Sequence, residues 1–343
     1  MTLPSGTQAG LVVKPFRGIR YAPNHVGDIA DVTSPPYDVI GSGVLASLVG
    51  ASPYNSVRLI LPGPETGGPP AVPDADALAA RRLGEWLRSG VLVRDPSPAL
   101  YVYEQNGSSF LQRGLIALVG VGEPSAAGIF PHEAVMPGPV AGRRSLMQET
   151  RANLEPIFLV YNGGSRNGGP GRHGDGPPLT ASRLVDATAE GCEPLLEAVT
   201  PAGRSAGAGW TGEERITHRL WAVTDPDAHA AVAADLAGRT ALIADGHHRY
   251  AAYRELRDSM RASGGGDGPW DYGLAFLVDA DTYPPRLGAI HRVVPGLSGA
   301  EAARRAGAAF TVRELPDDFG AAMARLADAG RGGGHAFALA DPD

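Results

Sequence analysis

The stretch Thr240-Ala-Leu-Ile-Ala-Asp-Gly-His-His-Arg-Tyr250 decides the fold class. Its apolar first half reads as a buried strand, and Asp245-Gly246 turns the chain directly into a helix that runs to about Ala262. A strand that hands polar residues to a helix start is the building unit of α/β proteins, which place ligands at strand ends. Gly246 allows close backbone approach, and the first-turn N–H groups of the helix have no intrahelical partners, so the turn suits an anion. His247, His248 and Arg249 stand beside it. Adjacent helical histidines project about 100° apart and cannot chelate one ion as an i, i+4 pair does, which favours a phosphate cradle over a His-His metal site. Asp245 could hold Mg²⁺ on such phosphates, accept a proton, or cap the helix. The plain alternative is a capped helix with surface histidines and Arg249 paired to a carboxylate.

Working outward, strands are predicted at 99–105 and 110–122 around an Asn106-Gly107 turn, and at 156–161, 216–223 and 272–278. Residues 11–21 read as a short strand turning at Pro15 and Gly18, with a loop to Asp31, and a further strand is predicted at 56–61. Helices are predicted at 74–89, 141–153, 179–198, 225–237, 299–308 and 317–329. The prolines of Thr33-Ser-Pro-Pro-Tyr-Asp-Val-Ile40 forbid a helical start and make a stiff loop. Residues 162–178 are a glycine-rich loop, and 336–343 read as a strand running into a turn, as if a further piece were to follow. The pattern gives an α/β (α+β) protein, a mixed sheet with flanking helices, divided as 1–125, 126–295 and 296–343.

Composition excludes several classes. The 37 acidic against 30 basic residues give a formal charge of -7, too acidic for a protein that coats nucleic acid. With 43% hydrophobic residues the chain can bury a core, and its single cysteine, Cys192, excludes internal disulfides and cysteine zinc clusters. No basic n-region with an apolar h-region opens the chain, and no run of about 18 apolar residues occurs, so a cytoplasmic protein with no membrane partner is expected. Walker A, protein-kinase glycine-loop and Gly-x-Ser-x-Gly patterns are absent.

A second segment, Gly128-Ile-Phe-Pro-His-Glu133, ends an apolar run on a proline and presents His132 and Glu133 side by side. A carboxylate on a proline-fixed turn suits proton transfer, and an ordinary solvated turn is the plain alternative. Tyr37 and Asp38 of the Pro-Pro loop, with Arg151 and Asn153 of Thr150-Arg-Ala-Asn153, are candidates to line an acceptor pocket, whereas Arg143 and Arg144 read as a solvated helix start.

Lys14-Pro-Phe-Arg-Gly-Ile-Arg20, Ser34-Pro-Pro-Tyr-Asp-Val-Ile40, Ser52-Pro-Tyr-Asn55, Tyr101-Val-Tyr-Glu-Gln105, Pro131-His-Glu133, Thr150-Arg-Ala-Asn153 and Asp245-Gly-His-His-Arg-Tyr250 together resemble the bacterial and archaeal family DUF1015, over most of residues 14–294. Pro-His-Glu followed by Asp-Gly-His-His-Arg is also similar to the free serine kinases of the ParB/sulfiredoxin superfamily, which make O-phosphoserine from L-serine with a nucleotide. That resemblance implies a ParB/sulfiredoxin-like core in which Glu133 activates the hydroxyl and Asp245, Gly246, His247, His248 and Arg249 bind phosphates, with Asp245 on the metal. It further implies ATP or ADP as phosphate donor, Mg²⁺, and a small hydroxyl-bearing metabolite as acceptor. A ParB-like nucleotide-binding regulator without phosphotransfer is the alternative, and a homo-oligomer stays open. The chain departs from the kinases in the separation of 112 positions from Glu133 to Asp245, far more than they have, so the reading requires two remote segments to converge.

Overall fold

The computed structural model describes residues 10–63, 74–163, 180–201, 214–285, 294–330 and 335–340. The first elements are β1 (Val13–Lys14), β2 (Ile19–Tyr21), α1 (Pro23–Val26), α2 (Ile29–Val32), α3 (Ser42–Ala51), α4 (Val57–Ile60), α5 (Ala75–Arg88), β3 (Leu92–Arg94), β4 (Leu100–Asn106) and β5 (Leu111–Gly120). There follow α6 (Pro124–Ala127), β6 (Ile129–Phe130), α7 (Pro137–Thr150), β7 (Ile157–Tyr161), α8 (Thr180–Gly191), β8 (Leu196–Thr200) and β9 (Ile216–Val223). The last are α9 (Pro226–Leu236), β10 (Ala241–Asp245), α10 (His247–Ala262), β11 (Tyr272–Asp279), α11 (Gly299–Ala306) and α12 (Phe319–Gly330).

Nine strands form one mixed sheet in the order β6-β10-β7-β11-β5-β4-β9-β8, with β1 added against β5. The long hairpin β4–β5 and its neighbour β9 are antiparallel, as the turn at Asn106-Gly107 requires. Near the other edge the pairing is mixed: β10 runs parallel to β6 and antiparallel to β7, and β7 runs parallel to β11. The alternation in β7 shows the burial logic, since Ile157, Leu159 and Tyr161 are buried while Phe158 and Val160 are half-buried. One continuous core joins these strands to Val140 and Met147 of α7, Val185 of α8, Leu236 of α9 and Tyr250 and Tyr253 of α10. A smaller core under the two-stranded sheet β2–β3 is built on Leu59, Leu83, Trp86, Val91 and Leu92. Strands from both sides of residue 125 share the large sheet.

Two compact units divide the chain, Met1–Leu287 and Gly288–Asp343. In the second, Ser298 caps α11 by accepting from Glu301 N at 3.3 Å, and Glu301 pairs with Arg304 and Arg305 in the following turn.

Several expectations are corrected. The strand expected at 56–61 is the short helix α4, anchored by the buried Asn55 side chain, which accepts from Val57 N at 2.9 Å. Local side-chain bonding overrides the β-branched pattern there. The loop expected before Asp31 contains α1 and α2, the latter started by Asp28, which accepts from Ala30 N. The helix expected at 179–198 stops at Gly191, and 196–200 pair with β9 as β8. Residues 335–340 hold no regular element, so the expected terminal strand is not formed there. The glycine-rich loop from 164, and residues 291–293 of the short apolar segment His291-Arg-Val-Val294 expected from the sequence, lie outside the described residues.

Candidate functional site

Topology brings the two remote motifs together. Because β6 and β10 are parallel, with Phe130 opposite Leu242, both strands emit their polar sequels in the same direction: Pro131-His132-Glu133 from one, Asp245-Gly246-His247 from the other. β7 runs the opposite way, so its beginning, after Glu155 and Pro156, lies at the same end of the sheet, with Phe158 opposite Asp245. The register slips between Ile243 and Asp245, a bulge that re-aims the last side chain of β10. Gly246 then turns at φ +93°, a left-handed conformation that a side chain resists.

The two histidines clamp the Pro-His-Glu loop. His247 is buried; its Nδ1 stands 3.1 Å from Glu133 Oε1, and its Nε2 accepts from His132 N at 3.4 Å. His132 packs edge-on against it, with ring centroids 4.4 Å apart. His248 Nε2 accepts from Met136 N at 3.1 Å. The divergence of adjacent helical side chains, which prevents joint chelation, is what lets them reach two points on one loop. Burial pushes the His247 imidazole below its ordinary pKa, against the opposing pull of Glu133. With Nε2 accepting from His132 N, the geometry assigns the neutral ring's proton to Nδ1, toward the carboxylate. Glu133 and Asp245 are themselves half-exposed.

Beneath the turn lies a charged cluster. Arg249 is buried and gives Nη2 to Asp245 Oδ2 and Nη1 to Pro156 O, each at 2.5 Å. Burial works against its charge, but Glu155, Asp245, Tyr253 and Asp38 together raise the guanidinium pKa above its ordinary value. Arg249 is therefore a strut under Asp245 and Gly246, and only its Nε has no partner. Glu155 accepts from Tyr37 N at 3.1 Å and lies 3.6 Å from Arg143 Nη1; burial raises its pKa despite both arginines. Arg143 also bonds to Ile60 O and covers the Tyr37 ring, whose hydroxyl burial raises first and Asp38 second. From behind, Asn55 holds the Pro-Pro loop by donating to Asp31 O and Thr33 O, both at 2.9 Å.

Of the residues expected from sequence, His132, Glu133, Asp245, Gly246, His247 and His248 thus meet around one turn, with Arg249, Tyr37 and Asp38 clustered at Glu155. Arg151 is instead the exposed left-handed cap of α7, and Asn153 is half-buried; among the described residues neither bonds to this group. Arg143 corrects its expectation as a solvated residue, since its side chain is 12% exposed. Arg144 remains nearer the surface, paired with Glu255 at 3.1 Å. Glu155 was missed: the signal was an acid directly before Pro156 at a buried strand start.

The architecture defines a mixed α/β protein with its polar site at the ends of the β6, β10 and β7 strands. Residues 13–167 and 181–339 match the family model described as "Protein of unknown function (DUF1015)", and the chain belongs to that family. No curated protein and no solved structure matches the chain. No helix among the described residues is long and apolar enough to cross a membrane.

Proposed function

We propose that the chain is a nucleotide-dependent phosphotransferase acting on a small hydroxyl-bearing metabolite, with L-serine the leading acceptor and O-phosphoserine the product. The observation that carries this reading is the 3.1 Å contact between Glu133 Oε1 and His247 Nδ1, which sets a carboxylate at the head of the Asp-Gly-His-His-Arg helix. The similarity of the two motifs to the free serine kinases of the ParB/sulfiredoxin superfamily supplies the reaction class.

Phosphoryl transfer asks the protein for positioning, a proton acceptor and compensation of negative charge. His247 donates Nδ1–H to one oxygen of Glu133, leaving the other as general base for the acceptor hydroxyl. No side-chain cap bonds to the α10 N-terminus, so its first-turn N–H groups are available to an anion. The donor set fits a magnesium nucleotide, ATP or ADP: Asp245 is a half-exposed carboxylate beside this turn, and Mg²⁺ favours one or two carboxylates plus phosphate oxygens. When bound, the ion would neutralise charge on the phosphates. Arg249 fixes Asp245 from below and takes no part at the surface. Tyr37 and Asp38, on the proline-stiffened loop, border the same cluster, which supports a role for them in shaping the acceptor side.

The test is incubation with labelled ATP or ADP, Mg²⁺ and a pool of amino acids. Labelled phosphoserine supports the reading. Glu133→Gln should retain nucleotide binding and lower turnover about 10²–10⁴-fold, the usual worth of a general base. Nucleotide binding with a change of oligomeric state and no transfer would replace this reading with a ParB-like regulator.

A further inference from the structure

We infer that His132, Glu133 and His247 form a binding site for one borderline divalent cation of the Zn²⁺ or Co²⁺ class, a site separate in its ligands from the Asp245 carboxylate. One donor atom from each of the three residues lies within 4.8 Å of the other two. His247 Nδ1 and Glu133 Oε1 are already 3.1 Å apart. Two donors on a tetrahedral zinc ion, each about 2 Å from the metal, stand about 3.3 Å from one another, so this pair needs almost no adjustment. His132 sits on the exposed loop and has only to swing its ring, whose centroid is 4.4 Å from that of His247.

The donor chemistry selects the ion. Two imidazoles and one carboxylate suit Zn²⁺, Co²⁺ and related ions, whereas Mg²⁺ takes oxygen ligands. His247 is held as a ligand should be: buried, and fixed on a helix whose start is locked by the Gly246 turn. Capturing the ion moves its ring proton from Nδ1 to Nε2 and opens the bond from His132 N, which at 3.4 Å lies beyond the ordinary range and is a small loss. Three protein ligands leave at least one position open for an oxygen donor, water or an alcohol, the arrangement of catalytic rather than structural zinc sites. The inference deepens the phosphotransferase reading by giving the acceptor hydroxyl a cation to approach, but its geometric basis does not depend on that reading.

The experiment is equilibrium dialysis and calorimetry of the full chain with Zn²⁺ and with Co²⁺, without nucleotide or acceptor, so that the result stands apart from any assay of phosphotransfer. One ion per chain is expected, undisturbed by millimolar Mg²⁺, with Co²⁺ giving the visible absorption of a low-coordinate N/O site. His132→Ala and Glu133→Gln, both at exposed positions and checked for folding by circular dichroism, should each weaken binding by at least about tenfold. His25→Gln, at an exposed histidine elsewhere, should not change it. Absence of stoichiometric binding, or binding indifferent to both site variants, would overturn the inference and leave a hydrogen-bonded Glu133–His247 pair.

Discussion

Arg249 Nη2, in the first turn of α10, holds Asp245 Oδ2 at the end of β10 at 2.5 Å, while Nη1 of the same guanidinium reaches Pro156 O just before β7. The residue that looks most like a phosphate ligand in the sequence thus joins a strand end, a helix start and a neighbouring strand. Charge at the surface of the site is left to Asp245 and Glu133, and the arginine determines where the first of them stands.

Arg249→Met should therefore act on stability before it acts on ligand affinity. Asp245 is half-exposed and loses little when its partner goes, but Glu155, whose side chain is 11% exposed, loses a cation and Pro156 O loses a donor. A loss of about 2–3 kcal/mol in urea unfolding at unchanged m-value is expected. Arg249→Lys should recover only part of it, because an ammonium does not span both acceptors in the plane of a fork.

Gly246→Ala tests the turn itself. At φ +93° a side chain is strained, and the added Cβ would stand 3.1 Å from both Arg249 Nε and Ile157 Cγ2, two packed neighbours. The expected cost is about 1–3 kcal/mol. Gly84→Ala in the interior of α5, where the Cβ meets only the flexible end of Arg88 at 3.2 Å, should instead stabilise by up to about 1 kcal/mol. Paired denaturation curves of the two variants measure both effects.

Much of this framework was legible in the sequence because its signals are local. The strand-turn-helix at 240–262, the hairpin around Asn106-Gly107 and the helices α5 and α9 all appear close to where local signals put them. The failures have a common cause in tertiary contact. Val57–Ile60 look like a strand until Asn55 bonds its own loop, and residues 196–200 become a strand only because β9 offers them an edge. The site divides in the same way. Residue types chosen for their chemistry at a turn do gather, because parallel pairing of β6 and β10 sends both motifs out together. Glu155 and Arg143 gain meaning only from one another and from Tyr37, and no spacing in the chain announces that.

A pH effect follows from His218, whose ring nitrogens contact Tyr103 Oη at 2.8 Å and Thr200 Oγ1 at 3.0 Å. Burial lowers its pKa below the ordinary 6.5. Between those two values the unfolded chain binds the proton and the folded chain does not, so stability present above about pH 6.5 is lost progressively as pH falls from there toward the lower folded value. Thermal melts at pH 7.5 and 5.5 should show a drop in Tm that is smaller in His218→Gln, a side chain that cannot take up that proton. An equal drop in both proteins would assign the acid sensitivity to other groups.

Glu104, within the Tyr-Val-Tyr-Glu-Gln motif, is 1% exposed and sits between Arg113 Nε at 2.5 Å and Arg219 Nη1 at 3.1 Å. Arg113 is further engaged by Asp186 at 3.4 Å, so the group is a cross-strand network of β4, β5 and β9 with a helix packed on it. Removing a buried carboxylate leaves Arg113, 13% exposed, short of its nearest counter-charge, whereas Arg219 is a third exposed and recovers water. Glu104→Gln should cost about 2–3 kcal/mol, below the full figure for breaking a buried pair because of that exposure. β4 stands four strand spacings from β10, about 19 Å across the sheet. The proposed nucleotide binding and phosphotransfer should accordingly be unchanged at temperatures where the variant is folded. A fall in either, with the urea midpoint unmoved, would place Glu104 in the functional site rather than in the scaffold.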